Sequence, residues 1–310
     1  MGDAAIRTVG LSKRFGTVEA LSGLDLRVEP GEVLGYLGPN GSGKTTTIRL
    51  LLDLARPSAG RAEIFGLDTS RDAVAVHRRV AYVPGEATLW PSLTGEETLH
   101  LLGRIHGRVD RPYRDELIER YSLDPAKKVR AYSKGNRQKL SLIAALMTRA
   151  DLLILDEPTS GLDPLMEQVF RECVLEAKER GQTVLLSSHI LSEVEVVCDR
   201  VAILRRGRLV ETGTLAELRH LGALSIEATL TGPVPDLSAV PGVSHLRVEG
   251  NRLQCQVLGS VEPVLRALAE AGVAKLLSRE PSLEELFLAH YGAVEEVPGG
   301  PAAVEATADA

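Results

Sequence analysis

Gly38-Pro39-Asn40-Gly41-Ser42-Gly43-Lys44-Thr45-Thr46 is the stretch that decides how the rest of the chain is read. It fits GxxxxGK[ST], a phosphate-loop pattern whose weight depends on its flanks. An apolar run, Val33 to Leu37, reads as a strand ahead of it, and Thr47-Ile48-Arg49-Leu50-Leu51-Leu52 reads as a helix behind it. Gly38, Gly41 and Gly43 admit backbone angles closed to residues with a Cβ, so successive N–H groups can turn inward on an anion. The helix start adds unpaired N–H groups and the positive end of its dipole. Lys44 places a point charge on the β and γ phosphates, and the Thr45 hydroxyl completes a Mg²⁺ shell. The plain alternative is a glycine-rich turn with a solvated lysine, and the agreement of both flanks argues against it.

The second informative stretch is Asp151-Leu152-Leu153-Ile154-Leu155-Asp156-Glu157-Pro158, an apolar strand ending in two carboxylates. In a parallel α/β sheet such a strand delivers its acids to the edge where ligands bind. Asp156 suits Mg²⁺, directly or through water, and Glu157 can take a proton from an attacking water. Thr159-Ser160-Gly161-Leu162-Asp163-Pro164 then reads as a tight turn, with Asp163 capping a helix that Pro164 opens. Thr183 to Ser188 reads as a strand ending at His189, a candidate γ-phosphate contact if the same edge holds the acids and the loop.

Upstream, Tyr132-Ser133-Lys134-Gly135-Asn136 runs into an apolar helix, Leu140 to Met147. Serine and glycine at a helix start make a second anion site of the same kind, although serine is also a common cap. Thr94-Gly95-Glu96-Glu97 is a capping box opening a helix to about His106, and Asp110 to Tyr121 reads as another helix. Ahead of the phosphate loop, Ile6 to Leu11 and Leu24 to Val28 suit a pair of antiparallel strands. Phe15 lies between them, either a stacking surface for adenine or a core residue.

The C-terminal part carries no phosphate-loop chemistry. Leu246, Val248, Leu253, Cys255 and Val257 alternate with polar residues across Gly250-Asn251, which predicts a hairpin with one buried face. Val261, Leu265 and Leu268 mark a helix, and Ser282-Leu283-Glu284-Glu285 caps a last one. From Val294 the composition is that of a tail too poor in apolar surface to order itself.

The 310 residues suffice for one large domain and a smaller one. A formal net charge of −6 argues against a general nucleic-acid binder, so no nucleic-acid partner is expected. No apolar run approaches the ~18 residues that span a bilayer, so any membrane role is expected to run through a partner. Cys173, Cys198 and Cys255 are odd in number and form no CxxC pair, as expected of buried thiols in a reducing compartment.

In order along the chain, GPNGSGKTT, YSKGN, LLILDEP, SGLD and SSH resemble the nucleotide-binding subunit of an ATP-binding cassette (ABC) transporter, over roughly residues 6 to 220. PSLEELFLAHYG, residues 281 to 292, and the single-cassette layout are similar to the bacterial subgroup that exports antibiotics and other hydrophobic compounds. The resemblance implies an α/β phosphate-loop NTPase cassette over 1–221, a mixed sheet with an antiparallel β subdomain and a helical subdomain at about 90–150. A small α+β domain over 222–292 and a disordered tail over 293–310 are expected to follow.

By the same resemblance ATP and Mg²⁺ are bound, Gly38 to Thr46 hold phosphate, Phe15 stacks on adenine, and Thr45 and Asp156 serve the metal. Glu157 is the general base, and Lys44 and His189 stand at the γ phosphate. Ser133 and Gly135 cover the ATP of a second copy in a head-to-tail homodimer, and Asp163 belongs to the turn crossing that interface. The implied partner is an integral membrane permease, with the subunit peripheral at the cytoplasmic face. Two departures stand out: the signature reads YSKGN where LSGGQ is usual, and Gly85-Glu86 follows Pro84 where the family places glutamine. Two rival functions fit the same motifs, a soluble cassette ATPase acting on nucleic acid or ribosomes and a regulatory subunit with vestigial hydrolysis.

Overall fold

The computed structural model describes residues 3–188, 191–220 and 224–279. The chain forms two compact units dividing between Leu215 and Ala216.

The first unit begins with an antiparallel hairpin, β1 (Ile6–Phe15) and β2 (Val18–Leu24), and a short β3 (Arg27–Val28) pairs back onto Ile6 and Arg7. The two alternating runs of the sequence are thus split over three strands, because the chain continues to Phe15 and reverses at Gly16 before Leu24 comes opposite Leu11. β4 (Val33–Leu37) is buried along its whole length and leads through the phosphate loop into α1 (Lys44–Leu51). α1 starts three residues ahead of the predicted Thr47, at the lysine itself, with Gly43 as its left-handed N-cap. β5 (Ala59–Ile64) and β6 (Leu67–Asp68) finish the antiparallel sheet in the order β2-β1-β5-β6.

After α2 (Ala73–His77) and β7 (Val80–Val83) come the helices α3 (Gly95–His106), α4 (Arg111–Arg120) and α5 (Lys134–Leu146). Each of the three starts on a side-chain cap. Thr94 and Glu97 complete both bonds of the capping box, Asp110 accepts from the Tyr113 N–H, and Ser133 accepts from the Asn136 N–H. α5 begins at Lys134, well before the predicted Leu140, since its cap tolerates glycine and asparagine in the first turn.

β8 (Leu152–Asp156), α6 (Pro164–Glu179), β9 (Thr183–Ser188), α7 (Leu191–Val197), β10 (Arg200–Arg205) and β11 (Arg208–Thr214) complete the unit. The second sheet runs β11-β10-β4-β9-β8-β7, parallel except for β11. β8 and β9 are fully buried, as a parallel sheet covered on both faces requires. Each enclosed Leu, Ile or Val there contributes about 1.5–3 kcal/mol. The sheet therefore presents its strand tips on a rigid base.

The second unit starts within α8 (Leu215–His220) and contains β12 (Leu224–Leu230), β13 (Val243–Glu249), β14 (Arg252–Val257), α9 (Glu262–Ala271) and β15 (Val273–Arg279). The sheet order is β13-β14-β12-β15, and Val264 and Leu268 of α9 share a core with Ile226, Leu253 and Cys255. The strict alternation predicted for the hairpin fails at Val248, which is 50% exposed. Val248 lies opposite buried Leu253 but on β13, the edge strand of its sheet, while the register shift between Ser244 and Arg247, with His245 at φ 49°, lets Val243 and Leu246 both pack on the core. Cys173, Cys198 and Cys255 are free and buried. The predicted helix at Ser282 and the tail from Val294 lie outside the described residues.

Candidate active site

The phosphate loop is shaped by close approaches that only glycine permits. A Cβ on Gly43, at φ 112°, would lie 2.8 Å from the Ala20 carbonyl oxygen, and one on Gly38 would run into the Leu204 carbonyl and the Ser42 hydroxyl. Pro39, Asn40 and Gly41 form the outer arc, and Thr45 and Thr46 are in the first turn of α1. Inside the arc, the Lys44 side chain is only 5% exposed, and its Nζ donates to the carbonyls of Gly38 at 2.5 Å and Pro39 at 3.3 Å. Burial lowers the lysine pKa, while Glu157 and Asp156 pull it back up. The Ser42 hydroxyl is buried with no hydrogen-bond partner among the described residues. A buried cation resting on carbonyl dipoles beside an orphaned hydroxyl is a site built for an anion.

Asp156 closes β8 and is 4% exposed. Its Oδ2 accepts from the Thr45 hydroxyl at 3.1 Å and its Oδ1 from the Ser187 hydroxyl at 2.5 Å. Glu157 follows at φ 47°, a left-handed conformation that costs a residue with a side chain about 1–3 kcal/mol. That turn brings Glu157 Oε1 to 3.9 Å from Lys44 Nζ. The Glu157 N–H donates to the Ser187 carbonyl at 3.0 Å, so Ser187 anchors both acids. Ser187 has little to mark it in the sequence. Its only signal was its place at a strand end, two residues before His189.

The donor set fits a magnesium-bound triphosphate. Thr45 and Asp156 offer hard oxygens at one point, and among the described residues no group of three or more His, Cys, Asp or Glu could hold a metal by itself. A divalent ion here must therefore take the rest of its shell from phosphate oxygens and water, which is how Mg²⁺ is usually held.

Other predicted residues are apart from this cluster. Phe15 ends β1 as a residue 51% exposed, with Lys13 Nζ 4.9 Å from the ring centroid, so the reading of Phe15 as a core residue is corrected. Ser133 and Gly135 make no hydrogen bond to residues 38–46 among the described residues; the Ser133 hydroxyl caps α5, and Gly135 packs on the turn after β8. A Cβ on Gly135 would lie 2.6 Å from the Gly161 carbonyl oxygen, and Lys134 Nζ donates to the Ser160 hydroxyl at 3.0 Å. Asp163 caps α6 by accepting from the Met166 N–H. Gly85, in the segment lacking the glutamine, approaches the Asp156 carbonyl, and Glu86 beside it is exposed. His189 lies outside the described residues.

Transfer of a phosphoryl group asks a protein mainly for positioning and charge neutralisation. A lysine in a backbone cradle with two acids at a neighbouring strand tip supplies both, and this defines the class as phosphate-loop nucleoside triphosphatases. The ABC transporter family matches residues 21–160. The daunorubicin resistance ATP-binding protein DrrA3 of Streptomyces coeruleorubidus is 41% identical over 303 residues, covering 93% of this chain and 96% of that protein. A solved ATP-binding subunit of an ABC transporter superposes with a TM-score of 0.66 at 32% identity, over 69% of this chain and 92% of the other. The dimeric cassette MJ0796, in a post-hydrolysis state with ADP and Pi, shares the fold with a TM-score of 0.60 at 23% identity, over 68% of this chain and 98% of the other. The chain belongs to the ABC transporter family, as an ATP-hydrolysing subunit.

Proposed function

We propose that this subunit binds Mg·ATP on the phosphate loop, closes on a second copy of itself, and powers export of a hydrophobic compound or antibiotic through a separate integral membrane subunit. The observation that carries the reading is the 3.1 Å bond from Thr45 to Asp156, which joins the phosphate loop to the acid-bearing strand at one point. Gly38 to Thr46 cradle the phosphates, with Lys44 exchanging its carbonyl partners for β and γ oxygens. Thr45 and Asp156 hold Mg²⁺, which neutralises phosphate charge when bound. Phe15 stacks on adenine, Glu157 takes the proton from the attacking water, and His189 contacts the γ phosphate. Ser133 and Gly135 cover the nucleotide of the partner copy, a role consistent with the contact of Gly135 with the turn that holds Gly161.

The daunorubicin resistance relative supports the export reading, since it is similar along nearly its whole length. No helix among the described residues is long and apolar enough to cross a membrane. We place the subunit at the cytoplasmic face, held by its membrane partner. A groove of about 670 Å³ between Val74, Tyr82, Trp90, Leu102, Ile105 and Ala144 supports such docking. Trp90, Ile105 and Val74 are exposed on it, an apolar arrangement suited to an amphipathic helix of the permease.

Glu157→Gln tests the reading. Loss of a general base costs about 10²–10⁴-fold, so steady-state hydrolysis should disappear while Mg·ATP binding persists. Unchanged turnover would remove Glu157 from the chemistry.

A further inference from the structure

We propose that Glu193 is a positioning residue for hydrolysis: its buried carboxyl ties the turn after Glu157 to the end of the strand that leads to His189. This rests on the site reading given above. Glu193, on α7, is 5% exposed. Its Oε2 accepts from the Thr159 hydroxyl at 3.1 Å and from the Ser188 hydroxyl at 3.3 Å. Its Oε1 is buried with no hydrogen-bond partner among the described residues.

A half-satisfied buried carboxyl is an expensive way to fill space, and an aliphatic side chain would fill it at lower cost. Burial pushes the group above the ordinary carboxylate range. Thr159, Ser188 and Arg171 pull it back, and Glu167 opposes them. What the carboxyl provides is a connection. Thr159 is two residues past Glu157, and Ser188 is the residue before His189. The β8–β9 pairing ends at Asp156 opposite Ser187, with a last backbone bond from the Glu157 N–H to the Ser187 carbonyl, and beyond that bond the sheet no longer holds the two segments together. Glu193 joins them immediately past the point where the ladder stops. The Thr159 turn in turn presses Gly161 against Gly135 at the start of α5. One carboxyl thus links the interface turn, the loop of the general base and the tip of β9, so that displacement of the turn on closure carries the tip of β9 with it.

The test uses the full chain with Mg·ATP and compares Glu193→Ala, Glu193→Gln, Thr159→Val and the Glu193→Ala/Thr159→Val double variant, with Glu157→Gln in parallel. A small displacement of catalytic groups costs about 10²-fold, so Glu193→Ala should lower kcat by that order with KM for ATP unchanged. Glu193→Gln keeps a carbonyl oxygen for both hydroxyls and should restore most of the loss. Thr159→Val should lower kcat by itself yet add little to Glu193→Ala, because both remove the same tie. Amide exchange at Thr159 to Gly161 should quicken in the alanine variant and return to normal in the glutamine variant. Wild-type kcat in Glu193→Ala, or a loss that only tracks the fraction of folded protein, overturns the proposal. If Glu193→Ala does not fold, wild-type kcat in Thr159→Val overturns it instead. Normal turnover in Glu193→Ala beside an inactive Glu157→Gln removes the tie alone. Normal turnover in Glu157→Gln removes the site reading beneath it.

Discussion

Lys44 Nζ stands 3.9 Å from Glu157 Oε1 while donating to the Gly38 carbonyl, so the cation and the acid share one corner of the site. An anion entering the loop has to compete with the Gly38 and Pro39 carbonyls for Lys44. The pair is thus held ready by its own loop.

Lys44→Met keeps the apolar stem and deletes the charge. Hydrogen bonds to charged groups are worth about 1.5–3 kcal/mol, so Mg·ATP affinity should fall about 10–100-fold by titration calorimetry. Affinity equal to wild type would exclude Lys44 from phosphate binding.

Gly135→Ala places a Cβ where only 2.6 Å separates that position from the Gly161 carbonyl oxygen. The overpacking costs about 1–3 kcal/mol and should part α5 from the turn. In a Glu157→Gln background, the ATP-bound dimer seen by sedimentation should weaken while each chain still binds Mg·ATP. An undiminished dimer would show that α5 takes no part in the interface.

Thr94→Ala removes one half of the capping box on α3. Chemical denaturation should show a loss of about 1 kcal/mol, with Mg·ATP binding unchanged because Thr94 touches none of the phosphate-binding groups. An unaltered midpoint would mean that water replaces the cap.

His106, at the end of α3, has a pKa below its ordinary 6.5 because it is buried. Arg108 adds to the depression, while the Val80 backbone and Asp151 oppose it. The unfolded chain therefore takes up the proton first on acidification. The stability due to the neutral imidazole is full above pH 6.5 and drains away as the pH falls from there through the folded value. Denaturation midpoints of His106→Gln should be flatter than wild type across that window, and parallel curves would count against the assignment.

The phosphate loop and the acid-bearing strand were legible in the sequence because their physics leaves few alternatives. Glycines spaced around a lysine and a buried strand ending in two acids have little purpose apart from an anion. Ser187 was not legible. A serine in a strand is commonplace, and its double hold on Asp156 and Glu157 depends on β9 lying beside β8. The starts of α1 and α5 were missed because glycine and asparagine read as turn residues, whereas Gly43 and Ser133 cap the helices there. Val248 stays half exposed opposite buried Leu253 because β13 is the edge of its sheet, a position that periodicity does not reveal. The groove escaped notice because its walls come from α2, β7, α3, α5 and the Trp90 loop, segments far apart along the chain.

Tyr36, Ser187 and Asp156 lie on one rung across three adjacent parallel strands, with Leu37 and Ser188 on the next. Deleting a single residue inside any of these strands would turn its terminal side chains to the opposite face and slide them off the shared rung. Insertions between the strands leave the rung intact. Descendants of this chain are thus free to diversify in the connecting segments, while the three strands keep a fixed reading frame.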